Sequence, residues 1–310
     1  MRHVAADIVT GFLGSGKTTL LRHVLAHGLA GRRVALVVNE IGEIGIDGQV
    51  VTGLQAVERM VELSSGCICC SIDEYRFDLA IQELVASVRP DLIVIESSGL
   101  ADPDPLTYRV RGAGLQLDAV IAVADAANVR RFLAESEVAR AQIAAADFLV
   151  LSKLDLVDAA TARAVAEELT AINDRALQVT AAHGAVDSEL LFATGVAAFR
   201  ARAAAGAGRH PRHDGFESFA YRSRRALDPE RFERLLAELP PAIVRAKGIV
   251  ALAGREWRCL FNVTCGRAET QWIRPAGGPV ESQAVFIGRD VARHRAGVLA
   301  ALAACETAPG

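Results

Sequence analysis

Gly11-Phe12-Leu13-Gly14-Ser15-Gly16-Lys17-Thr18, preceded by Asp7-Ile8-Val9-Thr10 and followed by Thr19-Leu20-Leu21-Arg22, is the stretch on which the fold is decided. A Gly-x-x-x-x-Gly-Lys-Thr run becomes a phosphate cradle when a strand feeds it and a helix leaves it. Both are predicted here, a strand through Ile8 and Val9 and a helix over Thr19 to His27. Gly11, Gly14 and Gly16 let backbone N–H groups turn inward on phosphate oxygens, with Ser15 and Thr19 completing the candidate contacts. Lys17 is placed to reach the β and γ phosphates, and the Thr18 hydroxyl to ligate Mg²⁺.

Outward from this loop, apolar runs alternate with helix-forming stretches as far as about residue 180. The runs 34–38, 92–95, 119–123 and 148–151 have almost no polar member, as strands of a parallel sheet covered on both faces require. Helices are predicted over 20–27, 72–88 and 160–173. The expected architecture is a doubly wound α/β domain over residues 1–200. Residues 201–215 gather Gly, Pro and His without periodicity and read as a linker. A smaller α+β domain is expected over 216–310. Its strands are placed near 216–221, 243–252, 256–264, 268–273 and 283–287. One helix opens at Asp228-Pro229-Glu230, an N-cap followed by Pro at the first helical position, and a terminal helix starts from Asp290.

The 310 residues, 51% of them hydrophobic, suffice for two cores, and the net charge of −3 offers no basic field for nucleic acid. No apolar run is long enough to span a membrane, and the first ten residues read as a strand rather than a signal peptide. Six cysteines, three of them clustered, do not form a secreted disulfide framework, so a cytoplasmic protein is expected. Cys259 and Cys265 lie in apolar runs and read as core residues. No motif fixes the oligomeric state, and a homo-oligomer is compatible with the chain.

Two further segments bear on the nucleotide. Ser152-Lys153-Leu154-Asp155 follows the 148–151 strand, where ligands bind in such sheets. The Asp155 carboxylate can accept from guanine N1–H and its exocyclic amine, whereas adenine has no N1 donor, so GTP is favoured. Lys153 would lay its stem along the base. Asp91 to Gly99 is an apolar strand ending in Glu96, placed to serve Mg²⁺ or the attacking water, with the Gly99 N–H free to sense a γ-phosphate.

In Gly66-Cys67-Ile68-Cys69-Cys70-Ser71 the three thiols are too close in sequence for ordinary disulfides with one another. A tetrahedral Zn²⁺ with Zn–S of about 2.3 Å holds sulfurs about 3.8 Å apart, within reach of an irregular loop. Ser71-Ile72-Asp73-Glu74 is a capping-box pattern, and the helix N-terminus it predicts favours thiolates. Three thiolates leave a fourth position for water, a carboxylate or a client's ligand. Glu43, in the Asn39–Asp47 segment, is the candidate switchable ligand, with Glu40 and Asp47 behind it.

Taken together, Gly11 to Leu21, Asn39-Glu40-Ile41-Gly42-Glu43, Gly66 to Ser71, Glu96-Ser97-Ser98-Gly99 and Ser152 to Asp155 resemble the CobW-type P-loop GTPases, a family with metallochaperone members. The resemblance continues through Arg245-Ala246-Lys247-Gly248 and Val285 to Gly288. It implies a GTPase that binds Zn²⁺ or Co²⁺ at Cys67, Cys69 and Cys70 and delivers it to a client metalloprotein. This chain has Val38 where some members carry a further Glu ligand, and Ser152 where Asn or Thr is common. It keeps only His210 and His213 of a His-rich tract. Two other readings stand beside this one: a small-molecule kinase, which needs an Arg-rich lid, and a redox-sensing nucleotide-dependent regulator without metal transfer.

Overall fold

Runs of Val, Ile, Leu and Ala bury on both faces only in the interior of a sheet with helices above and below. The structure, a computed structural model, describes residues 4–27, 29, 32–38, 57–62, 74–181, 183–186, 188–192, 216–273 and 282–307. Its contacts divide the chain into two units, Met1–Thr194 and Gly195–Gly310. The linker expected at 201–215 lies outside the described residues.

The first unit carries a seven-stranded sheet, β1 Ala5–Thr10, β2 Val34–Val38, β3 Val57–Glu62, β4 Leu92–Glu96, β5 Gln116–Asp125, β6 Phe148–Ser152 and β7 Leu177–Thr180, in the order β3-β2-β4-β1-β5-β6-β7. Every neighbouring pair is parallel. All residues of β1, β2 and β4 are buried. On one flank Phe77, Ile81 and Leu84 of α2 (Glu74–Ser87) and Leu106 and Val110 of α3 (Pro103–Gly112) pack against Ala35, Val37, Ile93 and Ile95. A second cluster joins Ile143 of α5 (Glu137–Ala145) and Val165 and Leu169 of α6 (Ala159–Ile172) to Leu149 and Leu151. Each such side chain contributes about 1.5–3 kcal/mol by leaving water. β1 sits where the strand order reverses, the position at which doubly wound sheets open a crevice at their carboxyl ends.

The doubly wound parallel sheet is therefore as expected, with two strands that pattern reading does not find. β3 and β7 are its two outer strands. Val57–Glu62 interrupts its apolar residues with Glu58, Arg59 and Glu62, and Leu177–Thr180 is four residues long and only partly buried, so neither presents a continuous apolar run.

The second unit is a five-stranded antiparallel sheet: β8 Phe216–Ser223, β9 Ile243–Ala251, β10 Arg258–Thr264, β11 Arg267–Ile273 and β12 Ser282–Arg289, in the order β11-β10-β9-β12-β8. Two helices, α8 (Pro229–Ala237) and α9 (Val291–Cys305), pack on it through Phe232, Leu235, Leu236, Val298 and Leu302. Phe232 meets Phe261 edge-on at 5.2 Å, and Phe219 stacks on Phe286 at 5.0 Å. Asp228 caps α8 as its sequence predicts, accepting from Arg231 N at 2.9 Å ahead of Pro229.

Cys259 lies in this core as expected, but Cys265 does not. Cys265 is half-buried in the turn between β10 and β11, at φ 48° beside Gly266 at φ 81°, because the chain reverses there. Burial pushes the Cys259 thiol up to about 11, so little thiolate is present near neutrality. Native alkylation with iodoacetamide at pH 8, followed by mass spectrometry, is expected to label Cys259 at least about a hundredfold more slowly than the unfolded chain. Gly248, at the end of the Arg245-Ala246-Lys247-Gly248 motif, has no room for a side chain: a Cβ there would collide with the Gln283 carbonyl and the Phe261 ring. Gly248→Ala is expected to cost about 3 kcal/mol in chemical denaturation, whereas Gly297→Ala, inside α9 with open space around it, is expected to stabilise by about 0.5–1 kcal/mol.

Candidate functional site

β1 delivers the chain straight into the phosphate loop, where Gly11, Gly14 and Gly16 adopt φ of 137°, 70° and 102°. Positive φ favours glycine at all three, and at Gly11 a Cβ would also strike the Val123 carbonyl and lie 2.9 Å from Ser15 Oγ. The loop closes through Ser15 N–H donating to the Phe12 carbonyl at 3.1 Å, and α1 (Lys17–His27) starts directly from it. Its N-terminal N–H groups and dipole favour an anion. Lys17 Nζ donates to the Gly11 carbonyl at 2.8 Å, folding its ammonium across the loop. Ser15 Oγ is buried with no hydrogen-bond partner among the described residues, a donor that fits a phosphate oxygen.

Register brings the next element in. Val9 of β1 pairs with Glu96 of β4, which sets Glu96 beside the loop at 4% exposure. Thr18 Oγ1 donates to Glu96 Oε1 at 3.4 Å. A hydroxyl and a buried carboxylate at the mouth of a phosphate cradle are the oxygen ligands that Mg²⁺ takes, so the residues present fit that ion. Gly99 follows on the Ser97–Ser98 bend, and a Cβ on it would lie 2.8–2.9 Å from Leu13. Gln142 of α5 donates to the carbonyls of Gly99 at 3.2 Å and Ala101 at 3.0 Å, fixing this bend against the sheet.

A cleft of about 210 Å³ opens on the other side of the loop, lined by Gly16, Thr19, Lys153, Asp155, His183 and Gly184 among others. Asp155 stands exposed in a short 3-10 turn, Leu154–Leu156. Lys153 has left-handed backbone, φ 56° and ψ 34°, and its Nζ donates to Asp125 Oδ2 at 2.9 Å. Ser152 Oγ donates to the Ser15 carbonyl at 2.6 Å, with the Ala124 carbonyl at 3.2 Å. Its hydroxyl therefore holds the phosphate loop from a position on the cleft wall. Gly184, at φ 83°, presses against α1, where a Cβ would lie 2.7 Å from the Thr19 carbonyl.

With this geometry in view, sequence comparison is decisive. Residues 5–180 match the family model described as CobW/HypB/UreG, nucleotide-binding domain, and residues 216–306 match the cobalamin synthesis protein cobW C-terminal domain. The chain belongs to the CobW family. It is 31% identical to the zinc chaperone CobW of Sinorhizobium sp, over 96% of this chain and 97% of that protein. It is 32% identical to the zinc chaperone YjiA of Escherichia coli (strain K12), over 93% and 95%. The crystal structure of Zn(II)-bound YjiA GTPase from E. coli is 25% identical and covers 99% of this chain and 100% of that one, with a TM-score of 0.47.

Of the site residues expected in this CobW-family chain, the structure gathers Gly11 to Thr18, Glu96 and Gly99 around one loop, and Gly16, Thr19, Lys153 and Asp155 around one cleft. Cys67, Cys69, Cys70 and Glu43 lie outside the described residues, as do Glu40 and Asp47. Among the described residues no group of three or more His, Cys, Asp or Glu could hold a metal. Where the chain enters those segments is nonetheless fixed. Val38, the last residue of β2, pairs with Glu96 on one side and with Glu62, the last residue of β3, on the other.

Asp125, Asn128, Gln142 and the His183-Gly184 pair are additions that motif reading does not supply. Asp125 had a legible signal, since it ends an apolar strand in an acid just as Glu96 does. Gln142 had none, being one polar residue on a helix. Ser152→Ala removes the hydroxyl that reaches the Ser15 and Ala124 carbonyls. It is expected to weaken triphosphate and diphosphate binding alike by about fivefold in fluorescence titrations, leaving base preference unchanged.

Proposed function

We propose that this protein is a GTP-hydrolysing metallochaperone that binds Zn²⁺ at Cys67, Cys69 and Cys70 and hands it to a client metalloprotein under nucleotide control. The observation that carries the reading is the register at the carboxyl edge of the sheet. The segment bearing Glu43 leaves β2, and the cysteine segment leaves β3, in line with the strand end whose Glu96 contacts Thr18. The zinc chaperone names of relatives alignable over nearly the whole chain support the same cargo.

In this reading Lys17 leaves the Gly11 and Phe12 carbonyls for the β and γ phosphates, and the N–H groups from Gly14 to Thr19 take the remaining oxygens. Thr18 and Glu96 would hold Mg²⁺, which when bound supplies positive charge against the phosphate oxygens. Gly99 offers its N–H to the γ-phosphate, and Asp155 accepts from the guanine edge while Lys153 walls the base. The three thiolates leave one coordination position open, and Glu43 is the carboxylate that enters or leaves it as the γ-phosphate comes and goes. The same donors accept Co²⁺, so cellular supply bears on which ion is carried. A thiolate site of this kind needs a reducing compartment, which places the protein in the cytoplasm. Among the described residues no helix is long and apolar enough to cross a membrane.

Competition with a chromophoric zinc chelator tests both halves of the proposal, using protein loaded with a non-hydrolysable GTP analogue, with GDP, or with neither. One Zn²⁺ per chain is expected, with affinities at least about tenfold apart between the triphosphate and diphosphate forms. Substituting Cys67, Cys69 and Cys70 together by Ser is expected to lower affinity in the triphosphate form at least about a hundredfold. Unchanged affinity in that variant rejects the site, and equal affinity in the two nucleotide forms rejects the coupling.

A further inference from the structure

β5 ends on an acid that the phosphate-loop chemistry does not call for, and only 2% of the Asp125 side chain is exposed. A carboxylate is buried at this depth only when hydrogen bonds replace its water. Ala127 N–H donates to Oδ1 at 2.9 Å, and Oδ2 receives both Asn128 Nδ2 and Lys153 Nζ at 2.9 Å. The first two are local and shape the turn after β5. The third comes from 28 residues further on, from a lysine whose left-handed backbone lies at the mouth of the base cleft.

The consequence is directional. The Lys153 side chain is 37% exposed, and its ammonium is drawn inward to the acid, which turns its methylene stem into cleft wall. A loose ammonium would instead keep its hydration shell and sample many rotamers in the space a base must fill. Burial pushes the Asp125 carboxyl up, but the hydrogen bonds from Asn128, Lys153 and Ala127 outweigh it and hold the group below its ordinary value, so it stays charged.

We propose that Asp125 is a positioning residue for nucleotide binding: by tethering the Lys153 ammonium it pre-forms the apolar wall on which the base stacks. This rests on the reading of the cleft as the base site of a GTPase. The effect belongs to ground-state binding, because the tether touches neither the phosphate loop nor Glu96, and it therefore moves KM rather than kcat.

Steady-state GTP hydrolysis with Mg²⁺ by the full chain tests it in a double-mutant cycle of Asp125→Asn, Lys153→Ala and both together. Asp125→Asn is expected to raise KM for GTP about tenfold with kcat held within about twofold. In the Lys153→Ala background the same change is expected to raise KM no further. An unmoved KM overturns the proposal, and so does a double variant whose KM rises by the product of the single effects, since the acid would then act on the fold alone. Circular dichroism reports whether Asp125→Asn folds. If it does not, Asn128→Ala, which loosens the carboxylate from its other side, carries the same cycle with an expected two- to threefold rise that vanishes beside Lys153→Ala. Failure of the unsubstituted chain to bind or turn over GTP overturns the GTPase reading and this inference together, whereas normal turnover with an unmoved KM overturns this inference alone.

Discussion

The phosphate loop passes so close to the backbone of β5 that Gly11 has no room for a single carbon beyond its own main chain. That approach is the constraint on which the rest of the site depends. It seats the loop on the sheet instead of above it, close enough for Ser152 at the end of β6 to reach the Ser15 carbonyl, and it lets α1 begin at once at Lys17. Strand order does the remainder. With β1 between β4 and β5, the parallel ends at Glu96, Asp125 and Ser152 all open on the same edge as the loop.

Two of those ends carry buried acids, and their partners separate their roles. Glu96 faces the Thr18 hydroxyl, so it contributes negative charge where a divalent cation would sit. Asp125 faces a lysine ammonium and two amide donors, so its charge is already balanced within the protein. Equivalent sequence patterns, an apolar run closed by a carboxylate, thus meet a hydroxyl in one place and an ammonium in another. What distinguishes them is the residue opposite.

Much of this was legible in the chain because the signals were local. The loop motif fixes the strand before it and the helix after it, and the Asp228-Pro229 cap fixes the start of α8. Glu96, Gly99, Lys153 and Asp155 each sit at or within three residues of the end of an apolar strand, where a parallel sheet presents its carboxyl ends. Less legible were features made by chain segments that only the fold brings together. β3 and β7 lacked continuous apolar runs, Ser152 reaches the Ser15 carbonyl across 137 positions of sequence, and Gln142 meets the Gly99 turn across 43. Cys265 misled because a chain reversal follows it closely, and an apolar stretch does not announce where its backbone turns.

The close seating of Gly184 on the Thr19 carbonyl joins the wall of the cleft to the phosphate loop's helix as one body. The His183-Gly184 corner and the opening coil of α1 are in contact, so neither can yield without pressing on the other. A displacement at the His183-Gly184 corner is therefore passed on to the helix that leaves the phosphate loop, and the reverse holds as well.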